Sequence, residues 1–189
     1  MGDVIMARRT LIDIDDCIIN AVIKIGSEEG IKNITSNKVA KLCGISHFTC
    51  FEHFGTRQGM LDAAALKIEQ QFLYELEELI QTENNIMNVW NIILDEFIAK
   101  PNKPLYYWYY YKEIGCELTL NTERAAFLLN FAKQVFPNSN AKTDLEYMLL
   151  WDGIIEMMFY YTEKITKGLI PNTKEARDYI TKIIFYGIL

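Results

Sequence analysis

Along most of the chain apolar residues recur every three or four positions, and the runs they form end at Gly, Pro or capping residues rather than at hairpin turns. Ile14, Ile18, Ala21, Val22 and Ile25 mark one face of a first helix, expected to open after Thr10 with Asp13 closing a capping box and to stop at Gly30. Thr35 is a good N-cap for a second helix of about eight residues, whose apolar stripe is Val39, Ala40 and Cys43. Gly44 falls where that helix must stop, Ile45 is an apolar plug, and Ser46 caps a third helix. The register of this third helix turns Cys50, Phe51 and Phe54 toward the protein and leaves His47, Phe48, Thr49, Glu52 and His53 for a partner. Thr56 caps a long fourth helix from Arg57 to about Leu79. Further helices are expected at 85–99, 105–116, 121–136, 143–167 and 173–189, with Pro101, Pro104, Pro137 and Pro171 in the breaks. Strand and hairpin signals are poor, with Gly totalling 10 and Pro only 4, and the fold class expected is all-α.

The segment from Ile34 to Arg57, ITSNKVAKLCGISHFTCFEHFGTR, thus spells two short helices joined by a tight glycine turn, the shape of a helix-turn-helix. From about Arg9 to Ala65 the sequence resembles the TetR family of transcriptional regulators. A long first helix ending at Glu28-Glu29-Gly30 is followed by T-S-x-x-V-A-x-x-C-G-I-S, then T-x-F-x-H-F, then T-R-x-x-M-L, in the order and spacing of that family. The resemblance implies a helix-turn-helix head over 1–56 and a helical ligand-binding and dimerisation body over 57–189. DNA contacts carry over onto Thr35, Ser36, Asn37, Lys38, Ser46, His47, Phe48, Thr49, His53 and Arg57, with His47, Phe48 and Thr49 on base edges and Ser36, Lys38, His53 and Arg57 on phosphates. The chain departs from the family at Phe48, where a small residue or proline is common, at Phe51, which replaces a tyrosine, and at Glu52, an anion on the reading helix.

Net charge sharpens this reading. The chain carries −6, but residues 1–60 hold seven Lys/Arg against seven Asp/Glu, so the acidic excess lies in residues 61–189. A neutral head and an acidic body exclude a general nucleic-acid coat and fit specific binding by a few placed cations. The four cysteines, Cys17, Cys43, Cys50 and Cys116, form no CxxC pair; neither a cleavable leader nor an apolar run near 18 residues is present, so the expected compartment is the cytoplasm, without a membrane span.

Two features of the body carry candidate chemistry. The run Tyr106 to Tyr111, YYWYYY, spreads six aromatics around a helix at about 100° intervals, so some belong to a core and others to a cavity or interface. The family keeps an effector cavity in its body; Tyr106, Tyr109, Tyr110 and Glu113 share one helical face and, with Trp151, form the expected set for an aromatic or lipophilic small molecule. Between Leu145 and Ile165 apolar residues cover almost the whole helix circumference, which requires cover on more than one side. A homodimer through a four-helix bundle is therefore expected, with Met148, Trp151, Ile155, Ile180, Ile183 and Ile184 at the interface.

His47, Cys50 and His53 recur at three-residue steps but with Cys50 turned inward and no fourth ligand near, so no metal or other cofactor is expected. Neither histidine belongs to a catalytic set and there is no Gly-rich phosphate loop, so no enzymatic activity is expected. The function expected is a sequence-specific DNA-binding regulator, a ligand-released repressor on a palindromic operator. The neutral head with Phe48, Phe51 and Glu52 keeps a second reading open, a helical ligand-binding protein or enzyme that has lost DNA binding. A third is an interaction module built on the aromatic helix.

Overall fold

The computed structural model describes residues 11–83, 85–114, 122–137 and 139–186. Among these the chain forms nine α-helices and a single 3-10 turn: α1 Leu11–Glu29, the 3-10 turn Ile31–Asn33, α2 Ser36–Cys43, α3 His47–Phe54, α4 Arg57–Thr82, α5 Ile86–Ala99, α6 Asn102–Ile114, α7 Thr122–Val135, α8 Asp144–Thr166 and α9 Lys174–Tyr186. No strand occurs among the described residues. The N-terminal arm with Arg8 and Arg9, the capping Thr10, Cys116 and Gly187 lie outside them.

The helix starts are set locally. Thr35, Ser46 and Thr56 each accept a backbone N–H of the following first turn on their side-chain oxygen, from Lys38, Thr49 and Gly59. At α8 Thr143 and Glu146 close a reciprocal capping box. Such caps contribute about 1 kcal/mol each, because they satisfy donors that the helix itself leaves open. Gly44 ends α2 at φ 64 and ψ 35, a left-handed conformation that costs glycine nothing. Two boundaries differ from the sequence expectation: α4 runs on to Thr82, and α6 begins at Asn102, so that Pro104 sits in its first turn rather than in the break before it. A first-turn residue has no intrahelical use for its N–H, so proline is tolerated there.

Two hydrophobic cores share α4. The first joins Ile18, Val22 and Ile25 of α1, Ile31 and Ile34 around the 3-10 turn, the short helices α2 and α3, and Met60, Leu61, Ala64 and Ala65 from the first half of α4. Tyr106 and Tyr110 of α6 also belong to it. The second gathers Leu76 of α4 with Trp90 and Leu94 of α5, Phe131 and Phe136 at α7, Ile154 and Met158 of α8, and Ile180, Ile184 and Phe185 of α9.

Helix α8 explains its own unusual sequence, since it has three different neighbourhoods. Ile154, Met158 and Ile165 enter the second core, Trp151, Ile155 and Phe159 face a cavity, and Leu145, Leu149, Met157 and Tyr160 are exposed.

Helix α6 is locked onto the first core by close approach. Tyr106 is fully buried, its hydroxyl donates to the Leu61 carbonyl at 2.9 Å, and its ring lies against α1 where residue 26 has no side chain. A Cβ at Gly26 would come within 2.5 Å of Tyr106 Cδ2 and 3.1 Å of Ile34 Cδ1. Gly26→Ala gains at most about 1 kcal/mol of helix propensity, whereas overpacking against a ring with no free direction costs about 1–3 kcal/mol. Urea unfolding is expected to show a net loss of stability for Gly26→Ala, relieved when Tyr106→Leu is added.

Candidate nucleic-acid interface and ligand cavity

The α2–Gly44–α3 unit holds its reading helix by the residues that face away from it. Cys50 is fully buried, and Phe54 and the turn residue Ile45, both partly buried, pack against the first core. His47 and Phe48 are exposed, Phe48 at 61%, and Thr49 is half-buried with its hydroxyl 3.0 Å from that of Ser46. Phe51 does not turn inward as its register implied: it is 39% exposed and meets the His47 ring edge-on at 6.5 Å. Cys50 takes the core position, and a helical step of about 100° carries the next residue to the rim. The outer face of α3 is therefore apolar and aromatic, with Glu52 exposed beside it.

The expected phosphate-binding groups stand differently. Asn37 and Lys38 are exposed on α2 and Ser36 is half-buried, with Lys38 Nζ paired to Glu29 at 2.6 Å. His53 Nδ1 is hydrogen-bonded to Asp15 Oδ1 of α1. Arg57 is turned inward: Nε donates to the Ile34 carbonyl at 2.7 Å and Nη2 to the Ile31 carbonyl at 2.6 Å. It thus clamps the 3-10 turn to α4 instead of presenting its fork to solvent. The reason is geometric: the Ile34 carbonyl lies past the 3-10 turn, the Ile31 carbonyl has a second lone pair beside its bond from the Ile34 N–H, and a guanidinium at the start of α4 reaches both.

A cavity of about 660 Å³ opens in the body between α4, the α5–α6 turn, α6 and α8. Trp151 lines it together with Phe72, Phe97 and Phe159, and the residues of the aromatic run that line it are Tyr107, Trp108 and Tyr111 rather than Tyr106, Tyr109 and Tyr110. Tyr106 and Tyr110 face the first core, where the Tyr110 hydroxyl donates to Asp62 at 2.6 Å, and burial raises the Tyr106 phenol above its ordinary range. Glu113 pairs with Lys32 at 3.4 Å on the far side. With every position of the run aromatic, spacing alone cannot say which face is the cavity. Glu69 was also missed, although its signal is legible: a carboxylate on the inward stripe of α4, three residues before Phe72 and seven before Leu76.

Between the cavity wall and α8 lies a polar clasp. Glu163 accepts from Trp108 Nε1 at 2.9 Å, Tyr109 hydroxyl at 3.2 Å, Lys167 at 2.6 Å and Lys112 at 3.4 Å. Lys112 also lies 4.4 Å from the centre of the Trp108 ring. Burial by itself raises the Glu163 carboxyl, but the bonds from Lys167 and Trp108 and the charge of Lys112 outweigh it and lower its pKa to about 2.

Of the six expected interface residues, Ile183 is exposed at 55%, whereas Ile180 and Ile184 are buried in the chain's own core. Their i, i+4 stripe is satisfied internally, against α5. Met148, Trp151 and Ile155 line the cavity. The exposed apolar residues of these helices are instead Leu145, Leu149, Met157 and Tyr160 on α8 and Tyr179 and Ile183 on α9.

The architecture is similar to solved structures of regulators. A TetR family transcription regulator from Marinobacter aquaeolei VT8 aligns over 93% of this chain and 95% of its own, with TM-score 0.74 and 15% identity. A putative TetR family transcription regulator from Shewanella sp. PV-4 aligns over 95% and 98%, with TM-score 0.74 and 15% identity. The multidrug binding protein EbrR, complexed with imidazole, aligns over 92% and 89%, with TM-score 0.55 and 14% identity. The fold of this chain is that of the TetR-family regulators. No family model matches the sequence, and no curated protein matches it.

Two substitutions test the site's supports. Arg57→Ala takes the side-chain donor from the Ile34 carbonyl and leaves the Ile31 carbonyl only its bond from the Ile34 N–H, and chemical unfolding is expected to show a loss of about 1–3 kcal/mol, with Arg57→Lys restoring only part because an ammonium lacks the two-pronged geometry. Glu163 has a folded pKa of about 2 against an ordinary 4.5, so its ionised form contributes stability above 4.5 that is lost as pH falls toward 2. Thermal unfolding should therefore show Glu163→Gln less stable than the native protein at pH 7, with the gap closing between about pH 4.5 and pH 2.

Proposed function

We propose that this chain is a TetR-family transcription regulator that reads DNA through α3 and is released by a small molecule in the body cavity. The observation that carries the proposal is the capped α2–Gly44–α3 unit, whose inward residues are all spent on the first core while His47, Phe48 and Thr49 remain outside. Phe48 is suited to the thymine methyl in the major groove and His47 to a base-edge acceptor or donor. Ser36, Asn37 and Lys38 at the N-terminus of α2 are suited to phosphate, where free backbone N–H groups add to the one cation. Arg57 acts by holding the head in shape, and His53 sits between α3 and α1 through Asp15.

The exposed apolar face of α8 and α9 is covered, in this reading, by a second copy of the chain, forming a four-helix bundle from two helices of each subunit. A two-fold dimer places its reading helices about 34 Å apart and so requires a palindromic operator. The functional division is a reading head over 1–56 and a body over 57–189 for ligand and dimer contacts. No helix among the described residues is long and apolar enough to cross a membrane, and the proposed place of action is the cytoplasm, where the protein is a repressor rather than an enzyme.

Effector binding reaches the head through α6, whose Trp108 and Tyr107 line the cavity while Tyr106 and Tyr110 are seated in the first core. A ligand that prefers the arrangement unfit for DNA shifts the population toward it. A second reading, a ligand-binding protein that does not hold DNA, draws on the pairing of Lys38 with Glu29 and of His53 with Asp15.

Selection from random duplex DNA separates the two. An enriched palindrome is expected, and a pool without enrichment contradicts DNA reading. Phe48→Ala or His47→Ala should relax the enriched sequence, at a cost of about 1–3 kcal/mol for the base concerned, whereas Lys38→Ala should weaken all duplexes alike.

A further inference from the structure

We infer that α3 selects its DNA by the C5-methyl groups of pyrimidines in neighbouring base pairs, seated against Phe48 and Phe51, rather than by hydrogen bonds to guanine. The inference rests on the proposed reading of α3 as the DNA-contacting helix and adds the chemistry that this helix selects.

The exposed face of α3 is small and well defined. His47, Phe48, Phe51 and Glu52 are exposed, Thr49 and His53 are half-buried, and Cys50 is buried. Positions i, i+1, i+4 and i+5 share one side of a helix, so these four side chains make a single patch about one turn long. Phenyl groups fill its middle. Phe48 is 61% and Phe51 39% exposed, and the His47 ring meets Phe51 edge-on at 6.5 Å. Residues three apart on a helix stand about 5–6 Å apart at Cβ, more than the rise of roughly 3.4 Å between stacked base pairs. The two rings therefore reach neighbouring pairs rather than one.

The hydrogen-bonding inventory of the helix points the same way. Its sequence, HFTCFEHF, contains no Arg, Lys, Asn or Gln, the side chains that grip guanine O6 and N7 or adenine N6 and N7 with two bonds. The Thr49 hydroxyl lies 3.0 Å from that of Ser46, and His53 is hydrogen-bonded to Asp15 of α1. His47 can make one bond to a base edge, and the Glu52 carboxylate accepts without donating. Such a carboxylate takes a bond from cytosine N4 or adenine N6 and is repelled by the two acceptors of guanine. What the patch offers in area is apolar surface. The apolar group on a major-groove edge is the C5-methyl of thymine, or of a methylated cytosine.

The test uses the full chain and the sequence that it enriches from random duplex DNA, with binding followed by fluorescence anisotropy. Replacing thymine by uracil, one position at a time, removes a C5-methyl and leaves every hydrogen-bonding group in place. At two neighbouring base pairs uracil is expected to weaken binding about fourfold, the equivalent of about 0.8 kcal/mol for one buried methyl. Phe48→Ala should bind the thymine and uracil duplexes alike at one of these pairs, and Phe51→Ala at the other. Circular dichroism verifies that the variants are folded; if Phe51→Ala is not, Phe51→Leu takes its place and should narrow the gap. Cytosine placed at the same positions, with and without a 5-methyl group, separates the two sources of the methyl. Affinity restored by the 5-methyl upholds the inference for both bases, and affinity not restored, where uracil weakens binding, upholds it for thymine alone. Uracil tolerated at every position, an enriched sequence fixed by G·C pairs alone, or a uracil effect that survives both Phe substitutions overturns the inference and leaves DNA reading intact. A protein that enriches no sequence overturns both.

Discussion

The seating of Tyr106 is the contact on which the rest of the arrangement turns. Its ring occupies the space that Gly26 leaves on α1, and its hydroxyl ends on the Leu61 carbonyl of α4, so three helices meet at one buried side chain. Burial of so large a ring contributes on the order of 2–3 kcal/mol, and the hydroxyl adds direction, since the polar end of a buried tyrosine must find a partner. Once Tyr106 is fixed, the helical step fixes its neighbours. Tyr110, one turn on, reaches Asp62; Tyr107, Trp108 and Tyr111 turn to the cavity; Tyr109 points to Glu163 on α8. A run that looks redundant as a sequence is thus three different surfaces of one helix.

Charge follows a similar economy. The head is neutral overall, and some of the cations in it and beside it are committed nearby: Lys38 to Glu29, Lys67 of α4 to Asp16 of α1, Arg57 to two backbone carbonyls. Exposed pairs of this kind contribute at most about 1 kcal/mol each, and they are able to exchange a carboxylate for a phosphate at small cost. The body concentrates acid instead, on its surface and around the cavity, with Glu69, Glu75, Glu96, Asp152 and Glu156 in the cavity lining against Lys100 and Lys103.

Much of this was legible in the sequence, and the limits have physical causes. Thr35, Gly44, Ser46 and Thr56 announced their helix ends because caps and left-handed turns are chemistry of single residues, and the all-α reading followed from three- and four-residue spacing. Pro104 misplaced the start of α6 because a proline tolerated in a first turn reads the same as one in a break. Arg57 looked like a free cation because its partners are backbone carbonyls 23 and 26 residues away, which no side-chain pattern records. Ile180 and Ile184 looked like an interface because an amphipathic stripe does not say whether its cover comes from the same chain or another. The cavity face of α6 was hidden by uniformity, whereas Glu69 stood as a charge on an apolar stripe.

The central claim is that α6 joins the cavity to the reading head through Tyr106 and Tyr110. Hydrogen–deuterium exchange on the full chain, comparing the native protein with the cavity-wall variant Trp108→Ala, tests it most directly. Changes in protection are predicted not only along α5, α6 and α8 but also in α1 around Val22 to Gly26 and in α4 around Leu61 to Ala65, where Tyr106 and Tyr110 are seated. Changes confined to the cavity helices, with α1 and the first half of α4 exchanging as in the native protein, would contradict it.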